Sequence, residues 1–137
     1  MPVEVILDTG ALVSLLDRSQ RDHGACRAVY EGLEGNLVTT EAVVTESCHL
    51  LTRVASGIER CLEFVLEAGV VVVPCTSESL RRALVLVRKY RDVPMDYADA
   101  TLVALAEELG VNRIFSLDHR GFAVYRLHGR GGFQVLP

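Results

Sequence analysis

Val3-Glu4-Val5-Ile6-Leu7-Asp8-Thr9-Gly10-Ala11-Leu12-Val13-Ser14-Leu15-Leu16 is the stretch from which the rest of the chain can be read. Its first five residues are rich in β-branched side chains and lie between Pro2 and Gly10, the pattern of a buried strand over residues 3–7. A carboxylate directly after such a run cannot enter the core without a partner, because desolvating an unpaired charge costs several kcal/mol or makes it take up a proton. Asp8 therefore faces a cation or caps the helix expected over residues 9–17, since Asp is a favoured N-cap. A strand that ends in an acid and turns into a helix opens many α/β proteins, which place ligands beyond the carboxyl ends of their strands.

Outward from this start, hydrophobic periodicity predicts helix 21–32, strand 36–38, helices 41–55 and 58–67, and strand 70–73. It continues with helix 78–90, whose stripe is Leu80, Leu84 and Val87, and helix 96–109 closed by Gly110. A strand over 114–116 and an edge strand over 133–136 complete the chain. Strands alternating with helices give an α/β fold, a three-layer α/β/α sandwich with a mainly parallel central sheet, as a single domain over residues 1–137. The glycine-rich piece 129–132 is too short and too late for a phosphate-binding loop.

Three further acids echo Asp8. In the helix from 41 onward, Ala42, Val43, Glu46, His49 and Leu50 share one face, so Glu46 falls on an apolar stripe, either as a ligand or in a border ion pair with Arg53. Glu41 needs no chemistry, as a first-turn acid behind a Thr39 or Thr40 cap. Asp96 and Asp99 stand three apart in the first turn of the next apolar helix; by position Asp96 is the cap and Asp99 an extra carboxylate. Asp118 follows the strand 114–116, either as a ligand or as a turn residue capping Arg120 and Gly121, and Ser116 can hydrogen-bond a carboxylate or a metal-bound water. Acids carried from distant sequence to one sheet edge make a divalent-metal site, so the chain reads as a metal-dependent enzyme. Hard cations such as Mg²⁺ take oxygen ligands, and without one the acids repel, so some should hold protons near neutral pH or the metal-free site should be loose.

In that order and spacing, the Ile6-Leu7-Asp8-Thr9 opening, Thr40-x-x-Val43-x-x-Glu46, the Asp99-Ala100 helix start and Ser116-x-Asp118 with Phe122 just after resemble the PIN-domain ribonucleases, particularly the toxin-like VapC type. The likeness spans residues 3–122. It implies that Asp8, Glu46, Asp99 and Asp118 are catalytic and hold Mg²⁺ or Mn²⁺, with Asp96 as a fifth acid and Thr9 and Ser116 in support; Ser116 replaces the Thr of many relatives. It also implies endoribonuclease activity, with in-line hydrolysis of RNA phosphodiester bonds leaving a 5′-phosphate and a 3′-hydroxyl. Further implications are the toxin role in a type II toxin–antitoxin pair, a cognate antitoxin and a homodimer.

Composition fits that expectation. A chain of 137 residues permits burial of roughly two thirds of its unfolded surface. Its apolar runs are far too short to span a bilayer, and Met1-Pro2-Val3-Glu4 lacks the basic start and apolar core of a signal peptide, so a cytoplasmic location is expected. Cys26, Cys48, Cys61 and Cys75 show no paired spacing and are read as structural thiols in a reducing compartment. The net charge of −4 does not exclude a nucleic-acid binder, because local basic patches steer phosphates. Of 14 basic residues 13 are Arg, the side chain that grips phosphate in two places. Arg18, Arg21, Arg120 and Arg126 are the RNA-binding candidates, with Arg130 near them, whereas Arg81, Arg82, Arg88, Lys89 and Arg91 suit a solvated helix face. Two rivals remain: a phosphoaspartyl phosphatase, demoted because Gly10 stands where that family has a second Asp, and a non-catalytic PIN-like RNA- or protein-binding module whose acids are only caps.

Overall fold

The computed structural model describes residues 4–137, so Val3 of the expected first strand lies outside the described residues. Strand β1 (Glu4–Leu7) runs into α1 (Thr9–Leu16), followed by α2 (His23–Gly32), β2 (Asn36–Thr40) and α3 (Glu41–Leu50). A 3₁₀ turn (Leu51–Arg53) leads to α4 (Gly57–Glu67), β3 (Val71–Val73) and α5 (Ser77–Lys89). The chain continues through α6 (Tyr97–Leu109), β4 (Arg113–Phe115), α7 (His119–Val124) and β5 (Gln134–Leu136).

The five strands lie in the order β3-β2-β1-β4-β5, and every neighbouring pair is parallel. The expectation of a mainly parallel sheet is met by a wholly parallel one, because each connection between neighbours carries helix. Strand alternation divides the core. Val5, Leu7, Leu37 and Phe115 pack with α1, α2 and α4 residues on one face, while Ile6, Val38 and Ile114 pack with α6 and α7 on the other. The result is the α/β/α sandwich. Helix α6 is its most buried: Ala98, Ala100, Leu102, Val103, Ala104, Leu105 and Ala106 are all inside, and Gly110 ends it in the left-handed region at φ 66°. No helix among the described residues is long and apolar enough to cross a membrane.

Three sequence expectations need correction. The helix expected over 41–55 breaks after Leu50. A Cβ at Gly57 would run into the Leu51 carbonyl, so α4 packs backbone to backbone against the 3₁₀ turn and cannot continue α3. On α5 the buried face holds Ala83 and Leu86, with Tyr90 buried at its end, while the expected stripe residues Leu80 and Leu84 are 47% and 49% exposed. Residues 119–124, read as a turn, form α7, whose Phe122 is fully buried beside Tyr125 at a ring separation of 5.2 Å.

Candidate functional site

The parallel sheet delivers Asp8 and Asp118 to the same edge. Asp8 follows β1 and caps α1 by accepting from the Thr9 amide at 2.7 Å, and its amide donates to the Phe115 carbonyl of β4 at 3.0 Å. The Ser116 hydroxyl, fully buried after β4, donates to Asp8 Oδ2 at 2.6 Å and accepts from the Asp118 amide at 3.0 Å. One serine thus fixes both acids. Asp118 caps α7 by accepting from the Gly121 amide at 2.9 Å.

Helix α6 supplies the other pair. Asp96 is its N-cap as expected, accepting from the Asp99 amide at 2.8 Å, while Asp99 accepts from the Asp96 amide at 3.1 Å. This reciprocal box satisfies two helix-start amides, so Asp99 is a capping partner as well as an additional acid.

All four aspartates act electrostatically on the buried Tyr125, raising its phenol above the usual range behind the larger effect of burial. The Tyr125 hydroxyl donates to the Pro94 carbonyl at 3.0 Å. A Cβ at Gly121 would fall 2.5 Å from Asp118 Oδ2 and 3.0 Å from the Tyr125 hydroxyl, so only glycine leaves room between them. Sequence reasoning missed Tyr125, which sits beyond the short helix that periodicity did not reveal. Burial pushes the Asp8 carboxyl up to about 6 against the pull of the Ser116 and Thr9 hydrogen bonds, with Asp118 and Asp96 repelling its charge. Burial, then the charge of Asp96, pushes Asp99 up to about 8. Both shifts run towards holding the proton, with desolvation the larger cause and repulsion among the acids the smaller one.

Among the described residues none of these four carboxylates has an ion pair. The donors are all oxygen, the set a hard divalent cation takes. The Thr9 hydroxyl, buried beside Asp8, is an unpartnered polar atom at the same place. The carboxylates are turned onto neighbouring amides, and among the described residues no three His, Cys, Asp or Glu side chains are already spaced to hold a metal ion together.

Glu46 is not joined to this group by any hydrogen bond or ion pair. It lies half-buried on α3, whose buried residues are Val43 and Ser47, while His49 and Leu50 of its expected stripe are exposed. Its alternative partner Arg53 pairs with Asp17 at 3.4 Å instead. Among the arginines, Arg18, Arg21 and Arg120 are exposed and make no ion pair among the described residues. Arg126 folds back, donating from Nη1 to the Ala123 and Tyr125 carbonyls at 2.8 and 3.0 Å. Arg82 leaves its expected solvated face to grip the buried Glu107 carboxylate at 2.6 and 2.7 Å.

Comparison with known proteins agrees with this architecture. The model of the PIN domain family matches residues 5–127. Ribonuclease VapC26 of Mycobacterium tuberculosis is 33% identical over 135 residues, spanning 97% of this chain and 100% of that protein. The crystal structure of Mycobacterium tuberculosis VapC20, described as a sarcin-ricin loop cleaving toxin, superposes with a TM-score of 0.82 at 18% identity, covering 97% of this chain and 99% of the other. A toxin-antitoxin complex from Klebsiella pneumoniae superposes at 0.67 and 16% identity, covering 88% and 91%. At those identities the two structures speak for the fold.

Proposed function

Because this chain belongs to the PIN domain family, we propose that it is a divalent-metal-dependent endoribonuclease, the toxin of a toxin–antitoxin pair. The observation that carries the reading is the gathering of Asp8, Asp96, Asp99 and Asp118 around Tyr125 without a basic partner. Capping explains each acid's hydrogen bonds, but it does not explain why four carboxylates share one place, where burial and neighbouring charge push Asp8 and Asp99 towards their protonated forms. A pure capping protein has no need of that crowding.

In this reading Asp8, Asp99 and Asp118 hold Mg²⁺ or Mn²⁺, Asp96 adds a fifth-ligand charge, and Glu46 approaches from α3. Such a cation supplies Lewis-acid charge for the phosphodiester and acidifies a water for in-line attack. The protein's own part is orientation. Ser116 and the Thr9 amide hold the two oxygens of Asp8, and the Gly121 amide holds Asp118. Arg18, Arg21 and Arg120 meet flanking phosphates, whereas Arg126 needs to release its carbonyl contacts before it can join them. Exposed apolar side chains on α5 (Leu80, Leu84, Val85) and α4 (Ile58, Leu62, Leu66) offer surfaces for a second copy and for an antitoxin. A cytoplasmic location and a single domain belong to the same reading.

The test is cleavage of a pool of structured and unstructured RNAs, including a sarcin–ricin loop, by the full chain with Mn²⁺, with EDTA, and by the Asp8→Asn, Asp99→Asn and Glu46→Gln variants. Metal-dependent cutting lost in the two Asn variants supports the nuclease, and its survival in Glu46→Gln removes Glu46 from the ligand set. A folded protein that neither cuts RNA nor gains stability from Mn²⁺ overturns it in favour of a binding module.

A further inference from the structure

Beside the acidic site lies a cavity of about 560 Å³ between the ends of β2 and β3, α5 and α6. Its position follows from the sheet. Parallel pairing sets Ile6 opposite Val38, and the Thr39 hydroxyl donates to the Leu7 carbonyl at 2.7 Å, so the same register, carried one residue further, brings Thr40 at the end of β2 to the side of Asp8. Thr40 is part of the cavity wall, and its hydroxyl meets that of Thr101 on α6 at 2.8 Å. Tyr97, the residue after the cap Asp96, forms the adjoining wall; it is 46% exposed and its hydroxyl lies 3.6 Å from Cys75 Sγ. The cavity and the acids therefore share the end of β2 and the first turn of α6.

We propose that this cavity is a base-binding subsite, taking the unpaired nucleobase next to the scissile phosphate and favouring bases with an exocyclic amino group, adenine, cytosine or guanine, over uracil. The proposal rests on the nuclease reading and deepens it. The volume suits a small planar ligand and far exceeds one guanidinium group. An exposed tyrosine at one end of a cavity whose lining also includes the apolar Val73, Ala104 and Leu105 offers a stacking surface, which single-stranded RNA uses readily. The charge excludes phosphate from the interior. Glu41 and Glu78 line the cavity near Tyr97 and Glu108 lines its far end, while its one arginine, Arg82, is already bidentate to Glu107 and the lining His128 sits beside that same carboxylate. Ionised carboxylates only accept hydrogen bonds, so they favour edges with an exocyclic amino group, as they do for cytosine, over uracil, whose single N3–H donor is flanked by two carbonyl oxygens that repel them.

The experiment uses the ¹⁵N-labelled full chain in EDTA, titrated with cytidine, adenosine, uridine and, separately, agmatine; nucleosides carry no phosphate for the acids to repel. Cytidine or adenosine should shift the Tyr97, Thr101 and Thr76 amides at several-fold lower concentration than uridine. Tyr97→Ala should weaken this about tenfold, the worth of one base–aromatic stack, and Tyr97→Phe should retain it. Shifts with agmatine but none with nucleosides assign the cavity to a cationic protein side chain and overturn the proposal. So does equal binding of uridine. With Mn²⁺ and a randomised RNA, the wild type should show uracil depleted at one position flanking the cut and Tyr97→Ala should not. Cutting with the same base profile in both proteins overturns the subsite and leaves the nuclease standing. Nucleoside binding by a protein that never cuts RNA supports the cavity while overturning the nuclease.

Discussion

Replacing Asp8 by Asn should make the metal-free protein more stable at alkaline pH while removing its response to Mn²⁺. The folded protein lifts the Asp8 carboxyl from 3.8 to about 6, so it holds that proton more tightly than the unfolded chain does. The stability this contributes is complete below the unfolded value, falls as pH rises and is gone above the folded one. At about 1.4 kcal/mol per pKa unit the full effect is about 3 kcal/mol, of which about 2.4 is lost between pH 4 and pH 8 because pH 4 already lies at the unfolded value. Asn cannot ionise, so it lacks that slope. Its carbonyl oxygen can keep the bond from the Thr9 amide, and its NH₂ can donate to Ser116 Oγ, reversing the direction of the present contact. Urea unfolding in EDTA at the two pH values measures the effect. The variant's stability relative to wild type should improve by about 2–3 kcal/mol from pH 4 to pH 8, which for this chain length is about 7–10 °C in melting temperature. Added Mn²⁺ should then raise the wild type alone. A gap that does not change with pH, or that moves against the variant, would refute the assignment of Asp8 as a buried carboxylate held at a cost for the sake of a cation.

Gly121→Ala should push the Asp118 carboxylate off its amide, costing about 1 kcal/mol for the lost cap and weakening Mn²⁺-induced stabilisation at least several-fold, as read by thermal shift against metal concentration. Arg82→Ala leaves the Glu107 carboxylate, whose side chain is 4% exposed, with only His128, its amide at 2.6 Å and its ring Nδ1 at 3.8 Å; about 3 kcal/mol should be lost in urea unfolding. Adding Glu107→Gln to that variant should restore part of it, and no recovery would mean that lost arginine packing dominates. Gly57→Ala should destabilise by about 3 kcal/mol or more, because the clash is with the Leu51 backbone and no rotamer relieves it. Its Mn²⁺ affinity in the folded state should be unchanged.

Much of this molecule was legible because local chemistry and tertiary role coincide. The run from Val5 to Leu7 could only be a buried strand, Gly110 could only be a left-handed helix end, and Asp96 was identifiable as a cap from its place before an apolar run. The failures occur where packing overrules periodicity. Leu80 and Leu84 look like the core stripe of α5, but Ala83 and Leu86 are smaller or better placed against α6, and the larger leucines are left outside. Helix α7 escaped because six residues with a glycine at the third carry no helical signal of their own; the Asp118 cap and the Phe122 and Tyr125 rings hold it. Arg82 read as solvent-facing because its partner Glu107 lies on another helix, a distance no spacing rule bridges. For the site, the convergence of the strand-end acids was inferable from the parallel sheet. The Asp96–Asp99 box and the Ser116 bridge were only half visible, since a side chain's hydrogen-bond partners depend on strands meeting.

Helix α6 carries Asp96 and Asp99 on its first turn and the densest part of the core along the rest of its length. Backbone amides in such an element exchange with solvent only through openings close to global unfolding. The Asp96–Asp99 half of the acidic site therefore has a scaffold that cannot loosen separately from the protein, even though burial and repulsion push Asp99 towards its protonated form. What ligand binding has left to order is a handful of χ angles rather than a loop. Affinity for a cation should accordingly follow proton release far more than chain entropy, and a mutation deep in α6, nowhere near the acids, should reach the site only by lowering the stability of the whole fold.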